Sequence, residues 1–252
     1  VNPDGSDPWW AGWTIGLDAD GTVPPEVEGC PEGTEEVEAG VCRLSGTYTS
    51  DLTLTQGNIY QLDGRVNIGN GNCLLVDPDT CQGGDALVSA NLTIQAGVSI
   101  VGLPSDDPLS AAVLHITRGS QINAVGTPTA PIIFSSADEG FEDNLEWGGV
   151  QISGFAPHNA CDTDPCNVDG EGEAGFIGGD DPTDDSGVMK YVILAENGVP
   201  VDSEGNEINA LSLNAVGSGT EFDFIQILNT FDDGVEFYGG TANMKHVVVV
   251  NS

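Results

Sequence analysis

Two stretches of this chain repeat at one interval without being neighbours. LTIQAGVSI (92–100) and LHITRGSQI (114–122) hold Leu, Ile, Gly and Ile in step at an offset of 22 residues, and FIQILN (224–229) lies over HVVVVN (246–251) at the same offset. Repeats of roughly 20 to 50 residues mark stacked units, none of which can bury its apolar face alone. A 22-residue unit of short apolar runs fits one coil of a β-solenoid, so Leu92 is expected to stack on Leu114 in a core continuous from coil to coil.

The rest of the chain keeps the same rhythm. Short alternating runs bounded by Gly, Asn and Pro read as strands at 52–54, 59–62, 66–68, 131–134, 148–152, 192–194, 211–213, 225–227, 235–237 and 247–250. About three such runs per coil predict an all-β, right-handed parallel β-helix. Insertions at 69–85, 155–187 and 198–209 break the rhythm and are expected as loops on one face, where binding sites of solenoids tend to lie. Asn197, Asn229 and Asn251 each follow an apolar run, which predicts stacked turn asparagines. Residues 1–50 differ in character: Trp9, Trp10 and Trp13 precede an acidic stretch. They are expected to cap the solenoid end, leaving 51–252 as the β-helix.

Charge restricts the partners. With 40 Asp and Glu against 5 Lys and Arg, the net charge is −35. Nucleic acid is excluded, because phosphate binding needs clustered cations, and Arg43, Arg65, Arg118, Lys190 and Lys245 are scattered singly. No apolar run reaches the ~20 residues that cross a bilayer. The six cysteines allow 15 pairings. The sequence-local one, Cys30 with Cys42, Cys73 with Cys81 and Cys161 with Cys166, staples acidic or Gly- and Pro-rich loops. Stapled loops indicate an oxidising, extracellular or outer-surface setting, reached after removal of a signal peptide.

The segments LTIQAGVSIVG (92–102), LHITRGSQINAVGTPTAPIIFSSA (114–137), WGGVQISG (147–154) and NTFDDGVEFYGGTANMKHVVVVNS (229–252) resemble the right-handed parallel β-helix superfamily. More narrowly, they are similar to secreted or surface-anchored β-helix proteins of marine Gram-negative bacteria. That resemblance implies a fold and a surface location, with S-layer-like proteins among the members. It implies no particular activity.

Two chemistries compete. Polysaccharide hydrolysis needs two carboxylates flanking the scissile bond, and NTFDDGVE (229–236) supplies Asp232, Asp233 and Glu236. The segment partly resembles polygalacturonase-like motifs, yet position 231 is Phe, and both a Gly-His-Gly and an Arg-x-Lys are missing. A lyase needs a basic residue in a cationic groove, and Lys190 and Lys245 are lone cations in an anionic chain. His115, His158 and His246 lack triad-like companions and read as surface or turn histidines. Calcium binding has more support, because oxygen-rich loops suit a hard cation. Asp18 with Asp20, Asp162 with Asp164, Asp180 with Asp181 and Asp184 with Asp185 are the expected ligands.

The sequence stops at Ser252 directly after an apolar strand, an edge expected either to continue or to dock on another copy. The combined expectation is an extracellular structural protein, too acidic for a lyase groove, that self-assembles into a filament, coat or appendage with calcium. The alternative is a carbohydrate-active enzyme or glycan-binding module acting on surface polysaccharide.

Overall fold

The computed structural model describes residues 13–14, 29–138, 140–141, 143–201 and 206–252. The chain winds in successive coils. The first holds β1 (Glu35–Glu38), β2 (Val41–Tyr48) and β3 (Leu52–Leu54), and the second β4 (Ile59–Ile68), a hairpin of β5 (Leu75–Asp77) and β6 (Thr80–Cys81), then β7 (Asn91–Ile94). The third is β8 (Ser99–Gly102), β9 (Val113–Ile116) and β10 (Gln121–Val125). The fourth runs through β11 (Ile132–Ser136), β12 (Gly149–Ser153), a hairpin of β13 (Val168–Gly170) and β14 (Gly175–Ile177), and the start of β15 (Gly187–Asn197). The fifth continues through β15, a hairpin of β16 (Val199–Pro200) and β17 (Glu207–Ile208), β18 (Leu211–Asn214) and the start of β19 (Glu221–Thr230). The last finishes β19 and adds β20 (Val235–Tyr238) and β21 (Asn243–Val250).

Parallel pairing of each coil on the next produces three faces. The first stacks β2, β4, β8, β11 and the second halves of β15, β19 and β21. The second stacks the ends of β2 and β4 on β9, β12, β18 and β20. The third stacks β3, β7, β10 and the first halves of β15, β19 and β21. This is a parallel β-helix, as the repeats predict.

Inward side chains form rows along the axis. One runs Cys42, Tyr60, Ile100, Phe134, Leu194, Ile227, all essentially buried. A second runs Val66, Leu114, Val150, Leu211 and a third Leu54, Ile94, Ala124, Met189, Phe222. Each large apolar side chain so buried contributes about 1.5–3 kcal/mol, and each needs the coils on both sides to do so.

The C-terminal repeat stacks as expected, Ile225 on Val247 and Ile227 on Val249. The other does not. Leu92 pairs with Leu52 and Ile122 on the third face, whereas Leu114 pairs with Val66 and Val150 on the second. The shared pattern is a strand–turn–strand corner that recurs two faces later, one short of a full coil. Gly97 (φ 79°) and Gly119 (φ 78°) supply the left-handed turn residue in both, and Gly57 (φ 98°) does so in a third copy, LTLTQGNIY. Glycine suits these turns because it adopts positive φ at no steric cost.

The asparagine stack also shifts by one. Asn197 is in register with Thr230, so Glu196, Asn229 and Asn251 occupy the equivalent left-handed positions, at φ 63°, 55° and 57°. Asn251 Nδ2 donates to Asn229 Oδ1 at 2.8 Å. An aromatic stack of the same kind turns the corner between the third and first faces. Tyr191, Phe224 and His246, all with positive φ, lie ring on ring at 4.5 and 4.4 Å between centroids.

Trp13, expected in an end cap, instead packs edge-on against Tyr191 and Phe224 on this corner, at 5.6 and 6.0 Å. Trp9 and Trp10 lie outside the described residues. The first coil's edge is covered by β1, antiparallel on β2, beside the Cys30–Cys42 disulfide.

Gly119→Ala tests the corner geometry. A Cβ there would sit 2.8 Å from Ser89 Oγ at an unfavourable φ, so we expect a loss of about 1–3 kcal/mol, measured by urea unfolding. An unchanged midpoint would refute it.

Candidate functional site

The three insertions converge over the second face. Its outward row runs Asn67, His115, Gln151, Ser212, Glu236, and beside it lie Ser153, Asn214 and Tyr238. Outward residues of a solenoid ordinarily meet solvent, yet His115, Gln151 and Ser153 are fully buried and Asn214 nearly so. Insertion 155–187 covers them.

Two arginines hold that cover. Arg118, on the corner after β9, is fully buried. It donates to Gly71 O (2.7 Å), Cys73 O (2.7 Å), Cys166 O (2.9 Å) and Gly178 O (3.1 Å), with Phe155 under its guanidinium at 5.5 Å. It thereby ties insertion 69–85 to 155–187. Asn167 reinforces the joint through reciprocal bonds with the Leu75 main chain. Arg65 donates to Gln151 Oε1 and Gly172 O, both at 2.6 Å. Burial lowers both guanidinium pKa values to about 10, so both stay charged. The expected pairs Cys73–Cys81 and Cys161–Cys166 are formed within these two insertions.

His115, expected as a surface or turn histidine, lies instead inside β9 beneath the cover. Its Nδ1 faces Asn67 Oδ1 at 3.2 Å and its Nε2 faces Ser153 Oγ at 2.9 Å. A neutral imidazole satisfies both by donating from Nδ1 and accepting at Nε2. Burial, then the Arg65 charge, lowers its pKa to about 3.

At the row's end is a group of carboxyls. Glu236 Oε2 accepts from Asn209 Nδ2 at 2.6 Å, and Glu171 from insertion 155–187 acts on it electrostatically. Burial first, then Glu171, Asp233 and Asp232, raise the Glu236 pKa to about 7. Burial first, then Glu171 and Glu236, raise the Tyr238 pKa; its ring stacks on His158 at 6.1 Å. Asn209 is buried, and its Oδ1 has no partner.

Sequence-expected residues fall in different places. Asp232 and Asp233 flank Glu236 electrostatically, in the turn before β20 rather than on an extended strand. Lys190 and Lys245 are on the third face, away from this group, and Lys190 pairs with Glu221 at 2.6 Å.

The proposed calcium ligands serve their own turns. Asp181 accepts from Thr183 N and Oγ1, Asp184 from Ser186 Oγ, and Asp185 from Gly187 N. Asp162 and Asp164 lie in the Cys161–Cys166 loop, and Asp18 and Asp20 are outside the described residues. Among the described residues no three His, Cys, Asp or Glu side chains converge to hold a metal.

Glu171, Asn209, Tyr238, Arg65 and Arg118 escaped the sequence reading. Their partners come from different coils separated by insertions of unequal length, so no fixed spacing marks them.

A parallel β-helix with loops gathered over one face defines the class of protein. Residues 84–252, more than half of the chain, match the pectate-lyase-like β-helix domain, and the chain belongs to that family. Comparisons with curated proteins and with solved structures give no match.

Arg118→Met should destabilise the protein by about 3–5 kcal/mol, because it leaves buried carbonyls unpaired; chemical denaturation measures it, and a loss under about 1 kcal/mol would contradict the clamp. His115 predicts a pH effect of definite sign. Its folded pKa is depressed, so its contribution is complete above ~6.5, the unfolded value, and is lost as pH falls towards about 3. The slope is at most about 1.4 kcal/mol per pH unit, and His115→Gln should flatten the fall in stability measured below pH ~6.5.

Proposed function

We propose that this is an extracellular structural protein of the cell surface, and not a polysaccharide lyase. One observation carries the reading: Arg65 and Arg118, the cations on the loop-covered face, are spent on main-chain carbonyls of the insertions. Neither is free to take a proton from a uronate or to neutralise its carboxylate. Beneath them His115, Gln151 and Ser153 are buried and bonded within the protein, out of reach of a polymer. Three disulfides fit an oxidising setting, and no helix of the described residues is long and apolar enough to cross a membrane.

Self-assembly is part of this proposal. β20 and β21 each leave one edge unpaired among the described strands, and Phe237 and Val249 there are 49% and 43% exposed. Such an edge supports pairing with a second copy. Calcium enters as a screening counter-ion for a charge of −35, since self-repulsion falls as ionic strength rises.

Purified protein incubated with polygalacturonate or alginate, with and without calcium, should release neither unsaturated uronides nor reducing ends. Release of either would overturn the structural reading. Sodium chloride at matched ionic strength should raise the melting temperature as calcium does; stabilisation by calcium alone, reversed by EDTA, would instead mean a specific site. Sedimentation velocity should show self-association that Val249→Asp abolishes.

A further inference from the structure

We propose that a polar cleft on the corner between the first and second faces binds a neutral sugar, and so attaches the rod to a neutral polysaccharide. The inference deepens the reading of a surface structural protein, and rests on it for the source of the sugar.

The cleft is built from two coils and one loop. Asn229, near the end of β19, and Asn251, just after β21, stack one coil apart at φ 55° and 57°. Asp143 and Asn144 come from the connection between β11 and β12. Among the described residues these four line a space of about 320 Å³, at the lower end of the ~300–1,000 Å³ of small-ligand pockets. None of the insertions 69–85, 155–187 and 198–209 contributes to this described lining, so it is a different place from the loop-covered second face.

Hydrogen bonds hold the lining in place. Asn251 Nδ2 donates to Asn229 Oδ1 at 2.8 Å, Asn229 Nδ2 to Phe141 O, and Asn144 Nδ2 to Thr230 O at 3.5 Å. Each of these bonds uses one hydrogen of an amide nitrogen that carries two, and an amide oxygen has two lone pairs. Donors and acceptors therefore remain side by side along the stack, with the Asp143 carboxylate as a stronger acceptor. A hydroxyl both donates and accepts, so the neighbouring hydroxyls of a sugar ring match such a mixed set. Leu145 and Phe231, the residues after Asn144 and Thr230, are 46% and 44% exposed. An exposed aromatic ring at such a site offers apolar surface to the C–H face of a pyranose.

Other ligands fit less well. An anionic sugar or a phosphate would meet Asp143 and no Lys or Arg in the described lining, in a chain of charge −35. Calcium takes six to eight oxygens, whereas this lining mixes one carboxylate with three amides, whose N–H groups repel a cation. Glu196, next in the stack, is not part of the described lining; it is buried and accepts from Ser136 N at 3.3 Å. An apolar ligand would leave the amides unpaired.

Saturation-transfer NMR of the intact chain with glucose, galactose, mannose and N-acetylglucosamine tests the site. At least one should bind, with a Kd on the order of 1 mM or tighter. Asp143 is exposed, so Asp143→Ala should keep the wild-type melting temperature while binding about tenfold more weakly, through loss of one charge-assisted hydrogen bond. Asp143→Asn, which keeps an acceptor, should lose less. Silence from all four sugars would overturn the proposal, and so would binding that Asp143→Ala leaves unchanged. Calorimetric binding of calcium chloride that Asp143→Ala removes would overturn it too, because the cleft would then be a cation site. The structural reading stands or falls separately, on whether uronides or reducing ends are released.

Discussion

Every buried side chain in this molecule depends on the coil above and the coil below it. A single turn of the solenoid carries only a few inward residues, and it would leave them wet on two sides. Stacking at strand-pairing distance closes those sides and pairs the backbone at once, so that Tyr60, Ile100, Phe134, Leu194 and Ile227 become one continuous row. The strands must therefore remain in register, whereas the corners need only return the chain to the next face.

That division explains where the insertions lie. Added residues at a corner do not disturb the stack provided the chain re-enters in register, and 69–85, 155–187 and 198–209 all sit between strands. They gather over one face because buried donors require it. Arg118 reaches carbonyls from two insertions, and Arg65 together with Gln151 reaches the tip of the second. In a chain so poor in cations, using two of five on main-chain oxygens sets what the face can do.

The same cover borders a cluster of carboxyls, where burial and the neighbouring carboxylates raise the Glu236 pKa to about 7. Beneath it, His115 has the opposite sensitivity, stable when neutral and disfavoured by acid. The two groups bound the pH range in which this face is at its most stable.

The sequence by itself determined the solenoid. Apolar runs with period two, Gly at the corners, and local cysteine pairs are short-range signals, and they sufficed for the strands, insertions and disulfides. It named Glu236, Asp232 and Asp233 from one contiguous segment. Which coil lies on which was decided only by the tertiary structure: Leu92 stacks on Leu52 and Ile122 rather than Leu114, and Glu196 rather than Asn197 shares the asparagine stack. The reason is physical. Corner insertions of unequal length make equal sequence offsets correspond to different rotations about the axis, so register is set by pairing and burial, and with it the meeting of Glu171, Asn209 and Tyr238 around Glu236.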